Sequence, residues 1–327
     1  MEIMLSLRPA TIPAMRSSDG PLQTTLRPRL PVDLGLTLSP MRRGAGDPSM
    51  RAERPGVWWR ATRTPAGPAT ARYATRGGEV EVAVWGPGAE WSLANAPELL
   101  GARESLEGFA PSGLVGRLHR AMPGLRISRS LAVFETLVPS ILEQKVTGKE
   151  ARASYRAIVL AWGTRAPGPP VPGRGGPRPL MLPPEPEVLA ARAYWQFHRF
   201  GVEMRRANVI RGAAAEAQRV DRTVELSPGD AQRRLQGLPG VGPWTSAMVA
   251  LVALGDADAV PVGDYHLPHM VSWALAGEPR GTDERMLELL APYPGQRGRV
   301  LRLITRSGLG GAPRLGPRMP LRSFNRI

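Results

Sequence analysis

Leu235-Gln236-Gly237-Leu238-Pro239-Gly240-Val241-Gly242-Pro243-Trp244-Thr245-Ser246 is the stretch on which the fold turns. Just upstream, Ser227-Pro228-Gly229-Asp230 opens a helix: a serine cap, proline at the first position and an acid three residues after the cap. The short helix over 228–236 runs into the glycines, and a second helix opens at Pro243-Trp244. Gly240 and Gly242 around Val241 allow a tight turn whose backbone N–H groups point outward at a helix N-terminus. Free amides at the positive end of a helix dipole make an anion site, and the missing side chains let a phosphate come close. The G-x-G alone fits an ordinary helix connection without a ligand. The full helix–LPGVG–helix pattern in a basic chain favours the phosphate.

The chain's 327 residues fit one large domain or two ordinary ones of roughly 150 residues each, enough for a core without staples. The absence of cysteine excludes disulfides, thiolate zinc sites, cysteine-held iron–sulfur clusters and a cysteine nucleophile. Lys and Arg number 43 against 28 Asp and Glu, a formal charge of +15 that points to nucleic-acid phosphate. Every cation except Lys145 and Lys149 is arginine, and Gly and Pro number 37 and 35. A GC-rich coding sequence inflates the same residue types, so the charge is discounted without being dismissed. No apolar run reaches the roughly 20 residues of a membrane span. The opening MEIMLSLRPA carries an acid and lacks the pattern of a signal peptide. A cytoplasmic, nucleoid-associated protein with no membrane partner is expected.

An α+β architecture is expected, with a small antiparallel-sheet N-terminal domain over 25–105 and an all-helical core over 106–305. Residues 1–24 read as a flexible extension and 306–327 as a basic tail. Strand alternation marks Val32–Leu38, 57–62, 69–75 and 79–85, with Gly77-Gly78 turning between the last two. Residues 90–122 read as broken helical pieces, and Ser130–Leu142 carries a 3.6-residue apolar stripe. Further helices are expected at 150–162, 185–198, 203–220, 228–236, 244–254, 268–276, 283–290 and 296–305. Over 163–187, 14 of 25 residues are Gly or Pro, which predicts a long irregular loop.

Val260-Pro261-Val262-Gly263-Asp264-Tyr265 places a carboxylate 20 residues after Trp244, at the mouth of the next helix. An aspartate there is a favoured helix cap. A fixed carboxylate there could equally stabilise positive charge that develops in a transition state. Spacing alone leaves both readings open. Asp256 and Asp258 read as solvated turn residues. His266 and His269 lack a third ligand at metal spacing, so no zinc site is expected. His198 reads as packing or a phosphate contact.

The LPGVGPWTS stretch with its downstream loop and Asp264 resembles the hairpin, Gly/Pro loop and aspartate of the helix-hairpin-helix (HhH-GPD) DNA glycosylase superfamily. Pro123–Ile127, Ile141–Thr147, the G-x-x-x-x-R-A of Gly201–Ala207 and Gly295-Gln296-Arg297 match it in order. The sheet-containing part resembles the extra domain of the bacterial 3-methyladenine DNA glycosylase II branch. The resemblance implies Asp264 as the catalytic carboxylate and a base pocket of Trp244, Tyr265 and Met248. It places Gln144, Lys145, Thr147, Gly240, Val241, Gly242 and Thr245 on DNA. The carbonyls of Gln236, Leu238 and Val241 would hold a sodium or potassium ion, with no other cofactor.

The implied partner is double-stranded DNA with a damaged base, met by a monomer. Trp244 stands where bifunctional members carry a Schiff-base lysine, which implies a monofunctional, lyase-free enzyme. The implied substrates are alkylated purines such as 3-methyladenine, whose positive charge suits an aromatic face. Met248 and Thr305 depart from that branch's aromatics, and Lys145 replaces its apolar wedge. Two alternatives remain: a glycosylase for an oxidised or deaminated base, or a non-catalytic DNA-binding protein, which would have no need of Asp264.

Overall fold

Alternating apolar residues build the sheet seen in the computed structural model, which describes residues 20–173 and 176–309. Five antiparallel strands run β1 (Leu22–Leu26), β5 (Glu79–Trp85), β4 (Gly67–Arg76), β3 (Val57–Thr64) and β2 (Met50–Arg54) across the sheet. β3 is covered on both sides, because successive side chains point to opposite faces. Trp58 joins a core with Leu34, Leu38 and helix α2 (Ala89–Leu99), while Val57, Trp59 and Ala61 face the other way.

That second face is covered by the Pro/Gly-rich segment. Val171, Leu180 and Leu182 are buried against it, and Trp59 stacks on Trp85 at 5.3 Å. The segment also forms a small ribbon, β6 (Thr164–Arg165) with β7 (Met181–Leu182). The expected loop over 163–187 is therefore a packed cover, hidden from pattern reading because its few apolar residues follow no period. It also puts a two-stranded ribbon inside the part expected to be all-helical.

Two further expectations fail near the start. β1 begins at Leu22, inside the segment read as a flexible extension, while residues 1–19 of that segment lie outside the described residues. The expected strand at Val32–Leu38 is a short helix, α1 (Leu34–Leu38). Alternation at 34, 36 and 38 mimics a strand, but Asp33 Oδ1 accepts from Leu36 N at 2.9 Å and caps a helical turn. Leu34, Thr37 and Leu38 are the buried residues, which is helical spacing.

The helices gather around two apolar clusters. The larger takes α4 (Val133–Leu142), α5 (Gly148–Trp162), α6 (Pro186–Ala191), α7 (Met204–Ala215), α8 (Ala217–Asp221), α9 (Pro228–Gln236) and α10 (Pro243–Val249). The smaller takes α3 (Gly113–Ala121), α11 (Leu267–Ala276), α12 (Asp283–Leu290) and α13 (Arg297–Arg306). The helix expected over 185–198 is two pieces, because Arg192 and Ala193 are extended between α6 and a 3-10 helix at Tyr194–Phe200. The helix expected over 244–254 widens into a π turn at Ala250–Leu254. Ser130 and Leu131 donate to its Val252 and Ala253 carbonyls at 3.1 and 3.0 Å.

Arg299, fully buried on α13, pairs with Glu104, which also pairs with Arg126. Burial lowers the Arg299 guanidinium to about 10, yet its partners leave it a docked cation that fixes α13 against Leu125. Of the basic tail, residues 310–327 lie outside the described residues. Among the described residues no helix is long and apolar enough to cross a membrane.

Candidate active site

The hairpin is anchored from inside. Ser227 caps α9, its hydroxyl accepting from Asp230 N at 3.2 Å, and Leu235, Leu238 and Val241 are buried. The two glycines do different work. Gly240 has φ +85°, and a Cβ there would lie 2.3 Å from Cγ2 of Val209 on α7. Gly242 is extended at φ −101° and has open space where its side chain would be. It caps α10 without a side chain, and Pro243 follows as the first helical residue, so no cap side chain takes the first-turn amides.

A second element is locked to this turn. Gln144, just past the end of α4, donates from Nε2 to the Gly240 carbonyl at 3.0 Å and to Thr245 Oγ1 at 2.9 Å. Lys145 follows, exposed and at φ +55°, a conformation that costs a side-chain-bearing residue energy. Thr147 and Glu150 then close a capping box at the start of α5. Arg206, the arginine of the G-x-x-x-x-R-A match, is buried and donates to the Leu142 carbonyl at 2.6 Å and the Gly201 carbonyl at 3.2 Å. It therefore holds the end of α4 from which Gln144 and Lys145 project.

Asp264 stands where the chain crosses from the larger cluster to the smaller. Oδ1 accepts from His266 N at 2.7 Å and Leu267 N at 2.9 Å, the cap of α11. Oδ2 accepts from Trp244 Nε1 at 2.8 Å, a bond from the hairpin helix across the seam. The helix-entry reading of Asp264 is thus borne out by its two amide bonds. The capping bonds fix the direction in which the half-exposed carboxylate faces. Met248 lies one turn beyond Trp244 on the same face of α10 and is half-buried. Tyr265 is 66% exposed, its ring edge-on to His266 at 4.9 Å.

Other predicted residues are placed differently. The Val241 side chain is in the core and the Thr245 hydroxyl is held by Gln144, so both offer outward only main chain. Thr305 is exposed on α13, its hydroxyl turned back to the Arg302 carbonyl. His269 accepts from Gly281 N through Nδ1 at 3.1 Å and so belongs to the α11–α12 packing. Two cavities, lined by residues such as Arg60, Glu135, Tyr155 and Tyr73, sit between sheet and helices and include neither Asp264 nor Trp244.

Sequence reasoning missed the groups that hold the loop carrying Asp264. Asp258 is no solvated turn residue: it accepts from Arg297 N at 3.1 Å and Nε at 2.8 Å, and its second oxygen takes Nη2. Burial pulls the Asp258 carboxyl upward, but the Arg297 bonds win and hold it below the usual range. Asp256 is likewise engaged, accepting from Gln232 Nε2 at 3.2 Å and Asp258 N at 2.9 Å. Gly298 lets α13 approach, since a Cβ there would meet the Ala259 carbonyl at 2.7 Å. At the far end Gly263 N donates to Asp283 at 2.9 Å. The only sequence signal for these was the Gly295-Gln296-Arg297 match.

Fold comparison places this chain beside the helix-hairpin-helix DNA glycosylases. A 3-methyladenine DNA glycosylase from Archaeoglobus fulgidus superposes with a TM-score of 0.71, covering 86% of this chain and 97% of that one at 18% identity. An 8-oxoguanine glycosylase/lyase from Clostridium acetobutylicum gives 0.66, covering 90% and 98% at 12% identity. At these identities the likeness is one of fold. No family model matches the chain.

In sequence, the chain is 32% identical over 149 residues to a probable bifunctional transcriptional activator/DNA repair enzyme AlkA of Mycobacterium tuberculosis. That match covers 44% of this chain and 28% of the relative. It is 30% identical over 158 residues to DNA-3-methyladenine glycosylase 2 of Escherichia coli, 47% of this chain and 52% of the relative. The chain thus spans about half or less of the curated relatives it matches. The resemblance to the helix-hairpin-helix DNA glycosylases holds in both sequence and fold, and the sequence match extends to a 3-methyladenine glycosylase 2.

Proposed function

We propose that the protein is a monofunctional DNA glycosylase that hydrolyses the N-glycosidic bond of alkylated purines in duplex DNA. The observation that carries this reading is the Asp264 carboxylate, fixed between the start of α11 and the Trp244 indole, across the seam from the hairpin. Cleavage of the bond leaves positive charge on the sugar, and a carboxylate already oriented needs no reorganisation to meet it. Water is the nucleophile. Trp244 occupies the lysine position of bifunctional relatives, and its N–H is committed to Asp264. A cationic purine is already a good leaving group, so one carboxylate suffices. Trp244 and the exposed Tyr265 supply aromatic faces for that cation.

The hairpin amides around Gly242 and the turn at Lys145 hold the DNA backbone on either side of the extruded nucleotide. A monovalent cation fits the end of α9, where Gln236 and Leu238 carbonyls lie at the negative end of a helix. Among the described residues the Leu238 carbonyl accepts only from the Val241 N–H, at 3.0 Å, leaving a lone pair for the ion. Bound there with the Val241 carbonyl, it would add positive charge facing phosphate.

The test is single-turnover base release from methylated, oxidised and deaminated duplexes, with borohydride present in a parallel set. Free 3-methyladenine, an intact abasic strand and no covalent adduct are expected. Release confined to a neutral lesion refutes the alkyl-purine assignment, and a borohydride-trapped adduct refutes the monofunctional one.

A further inference from the structure

We infer that α5 and the glycine loop at 42–46 form a second phosphate-binding surface, which carries the grip on duplex DNA past the hairpin onto flanking backbone. The inference rests on the DNA-binding reading above. α5 opens directly behind the Gln144–Lys145 turn, and Lys149, Arg152 and Arg156 follow at i, i+3 and i+7, all exposed on one face. The two arginines lie along the protein. The Arg152 stem rests on Gly44, where a Cβ would lie 2.5 Å from its Cδ, and its Nη1 reaches back to within 3.0 Å of a Cβ position at Gly148. Arg156 lies over Gly46, its Cδ 3.3 Å from a Cβ position there. Gly44 has φ +82°, so any other residue is disfavoured twice.

More positive charge stands on the same rim. Arg42 donates to the Ala45 carbonyl at 3.1 Å, and Arg51 on β2 donates to the Val171 carbonyl at 2.5 Å. The Arg51 guanidinium is held below its ordinary value by burial first, then by repulsion from Arg178 and Arg42. The acids nearby are otherwise engaged. Glu143 pairs with Arg43, Asp47 is buried on the Arg43 and Ser49 amides, and Glu150 closes the α5 cap. No ion pair among the described residues joins Lys149, Arg152 or Arg156 to an acid. Like charges gathered on one exposed face favour a polyanion as partner. The missing side chains at 44 and 46 leave room for the two arginine stems, which lie along the surface. Because the Arg152 head lies at Gly148, the surface is continuous with the turn that carries Lys145.

The experiment is equilibrium binding of undamaged and abasic-site duplexes over a salt series, with the parent, Arg152→Gln/Arg156→Gln and Lys149→Gln. Removing one cation from the phosphate backbone should make the log–log salt slope shallower by about 1, so about 2 for the double variant and about 1 for Lys149→Gln. Affinity should fall for both duplexes alike, since phosphate carries no lesion information. Lys149→Gln removes a charge that touches no glycine, so it answers even if the double variant melts early. Parental slopes in both variants overturn the inference while leaving the glycosylase reading intact. A parent with no salt-dependent duplex binding overturns both.

Discussion

Replacing Gly240 and Gly242 singly by alanine separates holding the hairpin together from touching phosphate. At Gly240 the new methyl meets Val209 Cγ2 at 2.3 Å and Cγ1 at 3.3 Å, and the backbone sits at φ +85°. A left-handed conformation costs a residue with a Cβ roughly 1–2 kcal/mol, and overpacking a core adds typically 1–3. Gly240→Ala should therefore lose about 2–5 kcal/mol of stability and bind DNA poorly because the turn has moved. At Gly242 the methyl meets nothing within 4 Å and the backbone is extended. Stability should stay within about 0.5 kcal/mol of the parent. The methyl nonetheless stands where a phosphate would approach, and losing one charge-assisted hydrogen bond of about 1.5–3 kcal/mol weakens binding roughly 10- to 150-fold. Thermal melts and abasic-duplex titrations on the same preparations read both quantities. A Gly242→Ala protein that melts and binds like the parent refutes the phosphate role, and a Gly240→Ala protein that melts like the parent refutes the packing argument.

Trp244→Phe keeps an aromatic face but frees Asp264 Oδ2 from its 2.8 Å bond, so single-turnover base release should slow about 10- to 100-fold. An unchanged rate would mean that the indole does not position the carboxylate. Asp258 has a folded pKa below its unfolded value, so its contribution is complete above the unfolded pKa and is lost as pH falls through the folded one. Asp258→Asn should lower the melting temperature near neutral pH and flatten its decline on acidification; a decline as steep as the parent's would contradict this.

Much of the candidate site was legible because its parts are local. The hairpin announces itself through glycine spacing around an apolar residue and the α9 cap, and Asp264 through its distance from Trp244. The alternating strands at β3 to β5 were readable for the same reason. What escaped the sequence depends on partners far along the chain. Asp258 looks like any turn aspartate until Arg297 docks on it, and the Pro/Gly segment looks idle until Val171 and Leu180 meet the sheet. Leu34–Leu38 failed for another reason: five residues fit either period, and only the Asp33 cap decides between them. Gly240 and Gly242 looked alike in sequence because the difference between them is Val209, on another helix.

The central claim is that the Asp264 carboxylate drives base release, and Asp264→Asn on methylated duplex tests it most directly. Asparagine keeps an oxygen for the α11 cap but removes the charge and cannot both cap and accept from Trp244. The account predicts that the variant stays folded, binds abasic-site duplex, and releases 3-methyladenine at least about 100-fold more slowly than the parent in single turnover, the loss of one transition-state electrostatic partner. Release at the parental rate by a folded, DNA-bound variant would contradict it.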